Sequence, residues 1–199
     1  MRPELIVLHY TGMADCAGAR ARLCDPVAEV SAHWLIDANG GAEQLVDESL
    51  RAWHAGAGAW RGRDDVNSRS IGIELDNPGD RPFTAPQMLT LETVLRGIFD
   101  RWSIPKAGVI AHSDLAVGRK IDPGPRFDWR RLALMGLSVW PDAPGRNAPL
   151  AESLDAIGYP PADAAQRLAA FRLRFRPGAR GAETETDRRI ADAVARLPG

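Results

Sequence analysis

Three short aliphatic runs constrain this chain more than anything else in it: LIVLHY (5–10), SIGIEL (70–75) and AGVIA (107–111), the last followed directly by His112. Each is brief, continuous and bounded by polar or turn-forming residues, the pattern of a buried strand. Alternation along a strand puts Leu5, Val7 and His9 on one face; in the second run it separates Ile71 and Ile73 from Gly72 and Glu74. Each run therefore delivers a titratable side chain at or near its end: His9, Glu74 and His112. A glutamate inside so apolar a strand is costly unless it has a partner or a task.

Between these runs the sequence alternates in type. Asp15 is placed to cap a helix over AGARARLC, which must end before Asp25-Pro26 because the residue preceding proline disfavours helical angles. HWLID and AEQLV flank Ala38-Asn39-Gly40-Gly41 and predict a hairpin over Ser31–Val46. Residues 47–70, rich in Gly, Arg and Asp with Trp53, His54 and Trp60 among them, predict a long surface loop of the kind that tends to be functional. Thr84-Ala85-Pro86-Gln87 has the form of a capping box, and the helix it opens carries Met88, Leu91, Leu95, Ile98, Phe99 and Trp102 as one apolar stripe. Asp128 caps a short helix, WRRLALM, stopped by Gly136. Strands alternating with helices predict an α/β fold, a central mixed sheet flanked by helices.

Punctuation divides the chain into two units and a linker. Residues 1–138 form the expected catalytic unit, 139–149 (VWPDAPGRNAP) a Pro-rich linker, and 150–199 a small unit of three short helices. Those helices repeat apolar residues as Leu150/Leu154/Ile157, Leu168/Phe171/Phe175 and Ile190/Val194/Leu197, and none is long enough to be stable alone.

Composition excludes several classes. With 199 residues, 45% apolar and 26% charged, the chain suits a globular protein with one sizeable core, and a net charge of −1 offers nucleic acid no basic face. No apolar run approaches the roughly 18–20 residues a bilayer span requires. The N-terminus lacks a secretory apolar region of about 7–15 residues, because LIVL reaches His9 too soon. A chain that starts natively at Met1 is therefore expected in the cytoplasm; loss of a leader would instead place it in the periplasm or envelope. Cys16 and Cys24, eight residues apart on one expected helix, would lie about 12 Å apart along its axis. That separation exceeds the roughly 7 Å limit between Cα atoms for a disulfide.

The chemistry concentrates in AHSDLAVGRKIDPGPRFD (111–128). It offers His112, Asp122 in a loop stiffened by Pro and Gly, and Lys120 two residues before that carboxylate. With His9 these make two imidazoles and a carboxylate, a ligand set that leaves one tetrahedral position on a metal for water, at which Glu74 would aim. Lys120 and Asp122 could form a surface ion pair, but rigid backbone is not needed for so weak an interaction. His54 could displace one of the three ligands, although a strand end holds a ligand better than a loop does. His33 is expected to be structural. The same ligand set also serves non-haem iron enzymes of other chemistry.

IVLHYTG, VSAHWLID, RAWHAG, SIGIELDN and AHSDLAVGRKIDPGPRFDW, in this order and at these spacings, resemble the zinc-dependent N-acetylmuramoyl-L-alanine amidases of the type-2 family, over roughly Leu5 to Trp129. The resemblance implies the type-2 amidase fold, shared with peptidoglycan-recognition proteins, and one zinc ion per chain held by His9, His112 and Asp122. It implies Glu74 as catalytic acid/base and Lys120 as the group that stabilises the transition state. Arg119 matches a position contacting the substrate's peptide, and Tyr10, Trp53, His54 and Asn67 match positions around the groove. The implied partners are muropeptides, with or without the 1,6-anhydro sugar, or the intact wall, in cell-wall turnover and recycling. The C-terminal segment is similar, more weakly, to the peptidoglycan-binding unit of some members. A non-catalytic peptidoglycan recognition module is the competing expectation.

Overall fold

The computed structural model describes residues 1–198; Gly199, the last residue of the expected C-terminal unit, lies outside the described residues. Its strands are β1 (Leu5–Tyr10), β2 (Trp34–Ile36), β3 (Ala42–Gln44), β4 (Ser70–Leu75) and β5 (Val109–Ala111), and they form one sheet in the order β3-β2-β4-β1-β5. Only the β2–β3 hairpin is antiparallel. Seven α-helices flank the sheet among the described residues: α1 (Cys16–Cys24), α2 (Ala85–Arg101), α3 (His112–Leu115), α4 (Trp129–Leu134), α5 (Leu150–Ile157), α6 (Ala164–Phe175) and α7 (Glu185–Ala195). The mixed sheet between helices is the architecture expected from the sequence.

The continuous aliphatic character of β1 has a simple cause: it lies between β4 and β5 in a run of four parallel strands and is covered on both faces. Leu5 and Val7 join one apolar cluster with Ile110, Leu115, Leu154, Phe171 and Phe175; Ile6 and Leu8 join the other, with Ile71, Ile73, Leu91, Leu95 and Trp129. Helices α5–α7 thus share their apolar cluster with the sheet. Helix α2 covers the opposite face with Met88, Leu91, Leu95 and Ile98, while Phe99 and Trp102 of the expected stripe are only partly buried.

Local capping follows the sequence at most helix starts. Asp15 accepts from the Gly18 N–H, Thr84 from Gln87 and Asp128 from Arg131. The capping box at α2 is half formed, however. The fully buried Gln87 side chain turns inward and donates to the Ile36 and Asp76 carbonyls (2.9 and 3.1 Å) instead of reaching back to Thr84. Two backbone acceptors at strand ends outcompete one exposed amide.

Residues 47–69 are a surface loop only in part. Ala52, His54, Ala55, Trp60, Val66, Asn67 and Arg69 are buried, and Val66–Arg69 forms a 3-10 turn. Arg69 braces this segment by donating to the Trp60 and Arg63 carbonyls at 2.7 and 3.2 Å, a second bond to each, since the two residues also exchange backbone bonds in a small bridge. Cys16 and Cys24 are both free.

Candidate metal centre and its cleft

Register brings the chemistry together. His9 on β1 lies opposite Glu74 on β4, and Leu8 lies opposite Ala111 on β5, one residue before His112. Three adjacent parallel strands therefore release His9, Glu74 and His112 at the same edge, where open α/β sheets bind ligands. Asp122 arrives from the loop beyond α3, pinned by the Ser113 N–H donating to its carbonyl at 3.0 Å.

The result is a triangle of donor atoms. His9 Nδ1, His112 Nδ1 and Asp122 Oδ2 stand 3.0 Å from one another on all three sides. All three residues are buried. A tetrahedral zinc with bonds near 2.0 Å has ligand-to-ligand edges of about 3.3 Å, so the triangle is the right size for a small divalent cation. The chemistry of the donors agrees. His112 Nε2 faces the Ala55 carbonyl at 2.9 Å, and a carbonyl only accepts, so Nε2 carries a hydrogen and Nδ1 is the nitrogen turned to the triangle. Burial, then the neighbouring His112, lowers the His9 pKa to about 4 against an upward pull from Asp122, so this imidazole is neutral at pH 7. Burial would raise the Asp122 carboxyl, but the two imidazoles beside it outweigh burial and hold it well below the usual carboxylate range. Two imidazole nitrogens and one carboxylate oxygen aimed at a common point are satisfied together by a cation.

Glu74 stands beside this triangle with its Oε2 buried and without a hydrogen-bond partner. Burial raises its carboxyl well above the ordinary glutamate range, Asp122 adds to the rise, and Lys120 opposes it. An orphaned buried carboxyl oxygen is destabilising by about 1–3 kcal/mol or more. Its retention at this point suits a group kept for a proton rather than for stability.

A cleft of about 350 Å³ opens over these residues, and of the expected site residues it is lined by His9, Tyr10, Trp53, His54, Glu74, His112, Arg119, Lys120 and Asp122. Trp53 stands at the rim, 55% exposed, with the Arg51 guanidinium stacked 4.1 Å over its ring. Arg119 donates to the Ala55 and Ala57 carbonyls and so ties the 47–69 segment to the α3 loop. Asn67 is absent from the cleft: it is buried, and its Oδ1 accepts from the His54 and Ala55 N–H groups at 3.0 and 2.8 Å. It supports the wall from behind. Met13 and Arg22 also line the cleft, and nothing in their local sequence marks them.

The fold and the cleft define a hydrolase-type metal site, with three protein donors, space beside them and a carboxyl poised at that space. The sequence matches the N-acetylmuramoyl-L-alanine amidase family over residues 1–125. Across an alignment of 233 positions the chain is 36% identical to AmiD of Escherichia coli K12, a match covering 97% of this chain and 82% of that protein. The solved complex of E. coli AmiD with anhydro-N-acetylmuramic acid-L-Ala-D-gamma-Glu-L-Lys superposes with a TM-score of 0.89 at 34% identity, over 98% of this chain and 89% of that one. AmpDh3 of Pseudomonas aeruginosa, solved with anhydromuramic pentapeptide, gives 0.85 at 32% identity, over 97% and 91%. The chain belongs to the N-acetylmuramoyl-L-alanine amidase family, and the likeness to these structures runs through the C-terminal helices as well as the sheet.

Proposed function

We propose that the chain hydrolyses the amide joining the lactyl carbonyl of N-acetylmuramic acid to L-alanine in muropeptides, including those with the 1,6-anhydro sugar, with zinc held by His9, His112 and Asp122. The observation that carries this proposal is the unpartnered buried oxygen of Glu74 beside three converging donors. When bound, zinc supplies Lewis acidity to the carbonyl and lowers the pKa of a bound water from 15.7 towards about 7. Glu74 takes the proton of the attacking water and returns it to the leaving alanine nitrogen, general acid–base work of about 10²- to 10⁴-fold. Lys120, on the cleft wall, places a positive charge where the carbonyl oxygen becomes negative, an effect that costs about 3–4 kcal/mol to remove in comparable sites. Tyr10 and Trp53 offer ring faces to the glycopeptide, and Arg119 stiffens the wall beside it.

Residues 1–138 carry this chemistry, 139–149 connect it to α5–α7, and that unit contributes wall binding in addition to covering the sheet. The experiment for the activity is mass spectrometry of products from anhydro and reduced muropeptides, with zinc and after chelation. Free peptide that appears with zinc and ceases on chelation supports the proposal; unchanged muropeptide that merely binds would overturn it in favour of a recognition module. Sedimentation of the full chain with insoluble wall tests the role of α5–α7, and a chain left wholly in the supernatant would remove it.

A further inference from the structure

Of the chain's four histidines, His33 and His54 lie behind the donor triangle, packed edge to face with ring centroids 5.7 Å apart. His54 Nδ1 is 3.0 Å from His9 Nε2, its Nε2 is 3.3 Å from Ser70 Oγ, and Ser70 Oγ is 2.6 Å from the Val66 carbonyl. The last contact sets the sense of the others. A carbonyl can only accept, so the Ser70 hydroxyl hydrogen points to Val66. The Ser70 oxygen is then left to accept from His54 Nε2–H. Both His54 nitrogens are bonded, neither of them to a carboxylate, and a buried imidazole of this kind is neutral with a single N–H. Its Nδ1 is therefore bare and accepts from His9 Nε2–H. His9 keeps its lone pair on Nδ1, the atom that stands in the donor triangle.

The His54 ring has no freedom to do otherwise. A Cβ at residue 72 would lie 2.3 Å from His54 Cγ, so Gly72 leaves the only room in which the ring can lie against β4. The Gly72 N–H donates to His33 Nδ1 at 2.9 Å, and His33 Nε2 donates to the Leu50 carbonyl at 3.1 Å, which locks the neighbouring ring. Asn67 fixes the backbone of His54 itself. Ser70, Gly72 and Glu74 share one face of β4, so the strand that presents the orphaned carboxyl also carries the relay behind His9.

We infer that His54, oriented by Ser70 and seated on Gly72, is the positioning residue that fixes the His9 tautomer and aims its Nδ1 at the metal. This rests on His9 being a metal ligand. Partners of this kind change metal affinity about 10–100-fold when removed.

Zinc dissociation constants by competition with a chromophoric chelator, and the visible absorption of the cobalt-substituted protein, test it in wild type, His54→Phe, His54→Asn and Ser70→Ala. His54→Phe keeps the volume and loses the acceptor, so zinc should bind about 10–100-fold more weakly with altered cobalt bands. His54→Asn restores an acceptor oxygen at the δ position and should recover most of the affinity and the native bands. Ser70→Ala removes one buried hydroxyl, so the metal-free protein should stay folded with a somewhat lowered unfolding temperature while zinc binding weakens, which keeps the test decisive if His54→Phe does not fold. Wild-type zinc affinity and an unchanged cobalt spectrum in His54→Phe or Ser70→Ala would overturn the inference, as would an Asn variant no better than Phe. A wild-type chain that binds no zinc would instead remove His9 as a ligand, a separate failure.

Discussion

At the scale of single residues the site divides into groups that hold and a group that reacts. Asp122 holds: it is the one charged member of the triangle, so Asp122→Ala should strip the metal. Elemental analysis after dialysis checks this, and a full complement of zinc would take Asp122 off the ligand set. Glu74 reacts. Glu74→Gln should keep the metal and lose about 10²- to 10⁴-fold in kcat/KM. The pH dependence follows from the direction of its shift. Burial raises this carboxyl above 4.5, and a base works only when deprotonated, so kcat/KM should rise with pH across a limb displaced above the ordinary glutamate range. A Gln variant whose residual activity retained that limb would assign it to another group. The residue-level surprise is Asn67, whose amide was legible as polar and near the site but whose direction was not, because both donors to its Oδ1 are backbone N–H groups of a segment folded by tertiary contact.

At the scale of elements, the strands and the longer helices were readable from periodicity, caps and stop signals, whereas the single turn of α3, within the ligand-bearing 111–128 segment, was not. The exception at α2 is instructive. Thr84 and Gln87 have capping-box spacing, yet only Thr84 caps, and Gln87 binds the ends of β2 and β4. Urea unfolding should therefore separate them: Thr84→Ala should cost about 1 kcal/mol, as for an ordinary cap. Gln87→Leu, which leaves the Asp76 carbonyl unanswered and the Ile36 carbonyl with only the Asp76 N–H, should cost about 1–3 kcal/mol. Equal and small losses would mean that the inward bonds of Gln87 contribute nothing.

At the scale of the molecule the C-terminal helices and the sheet depend on each other. Asp114, two residues after His112, accepts from Tyr159 Oη at 2.7 Å, from Arg174 Nη1 at 2.9 Å and from the Ala111 N–H at 2.9 Å, and Arg174 also lies 4.1 Å over the Trp129 ring. Truncation after Asn147 would leave the Asp114 carboxylate without the Tyr159 and Arg174 partners and uncover Leu5, Val7 and Ile110. The shortened chain should be insoluble or bind zinc poorly, and a soluble fragment with native zinc affinity would contradict this. Within the helical unit, Asp187 is fully buried and bonded by Arg172, Arg176 and Thr184. Burial would raise its carboxyl, but these bonds prevail and hold it below 3.8. A depressed folded pKa contributes stability that is present above about pH 4 and lost as pH falls towards the folded value. Unfolding free energy should therefore fall on acidification below that pH, and Asp187→Asn should flatten the fall.

By itself the sequence determined what is local. Aliphatic runs specified the buried strands, caps and prolines marked the helices, and the residue types at the strand ends specified a metal-ligand chemistry with a carboxyl in reserve. Tertiary structure decided what depends on pairing between distant segments: the register that sets His9 beside Glu74, which residues of the 47–69 segment turn inward, and the hydrogen-bond sense running from Val66 through Ser70 and His54 to His9. The physical reason is the same in each case. A propensity acts within a few residues of chain, whereas the hydrogen of a buried hydroxyl or imidazole goes wherever the completed fold has placed an acceptor.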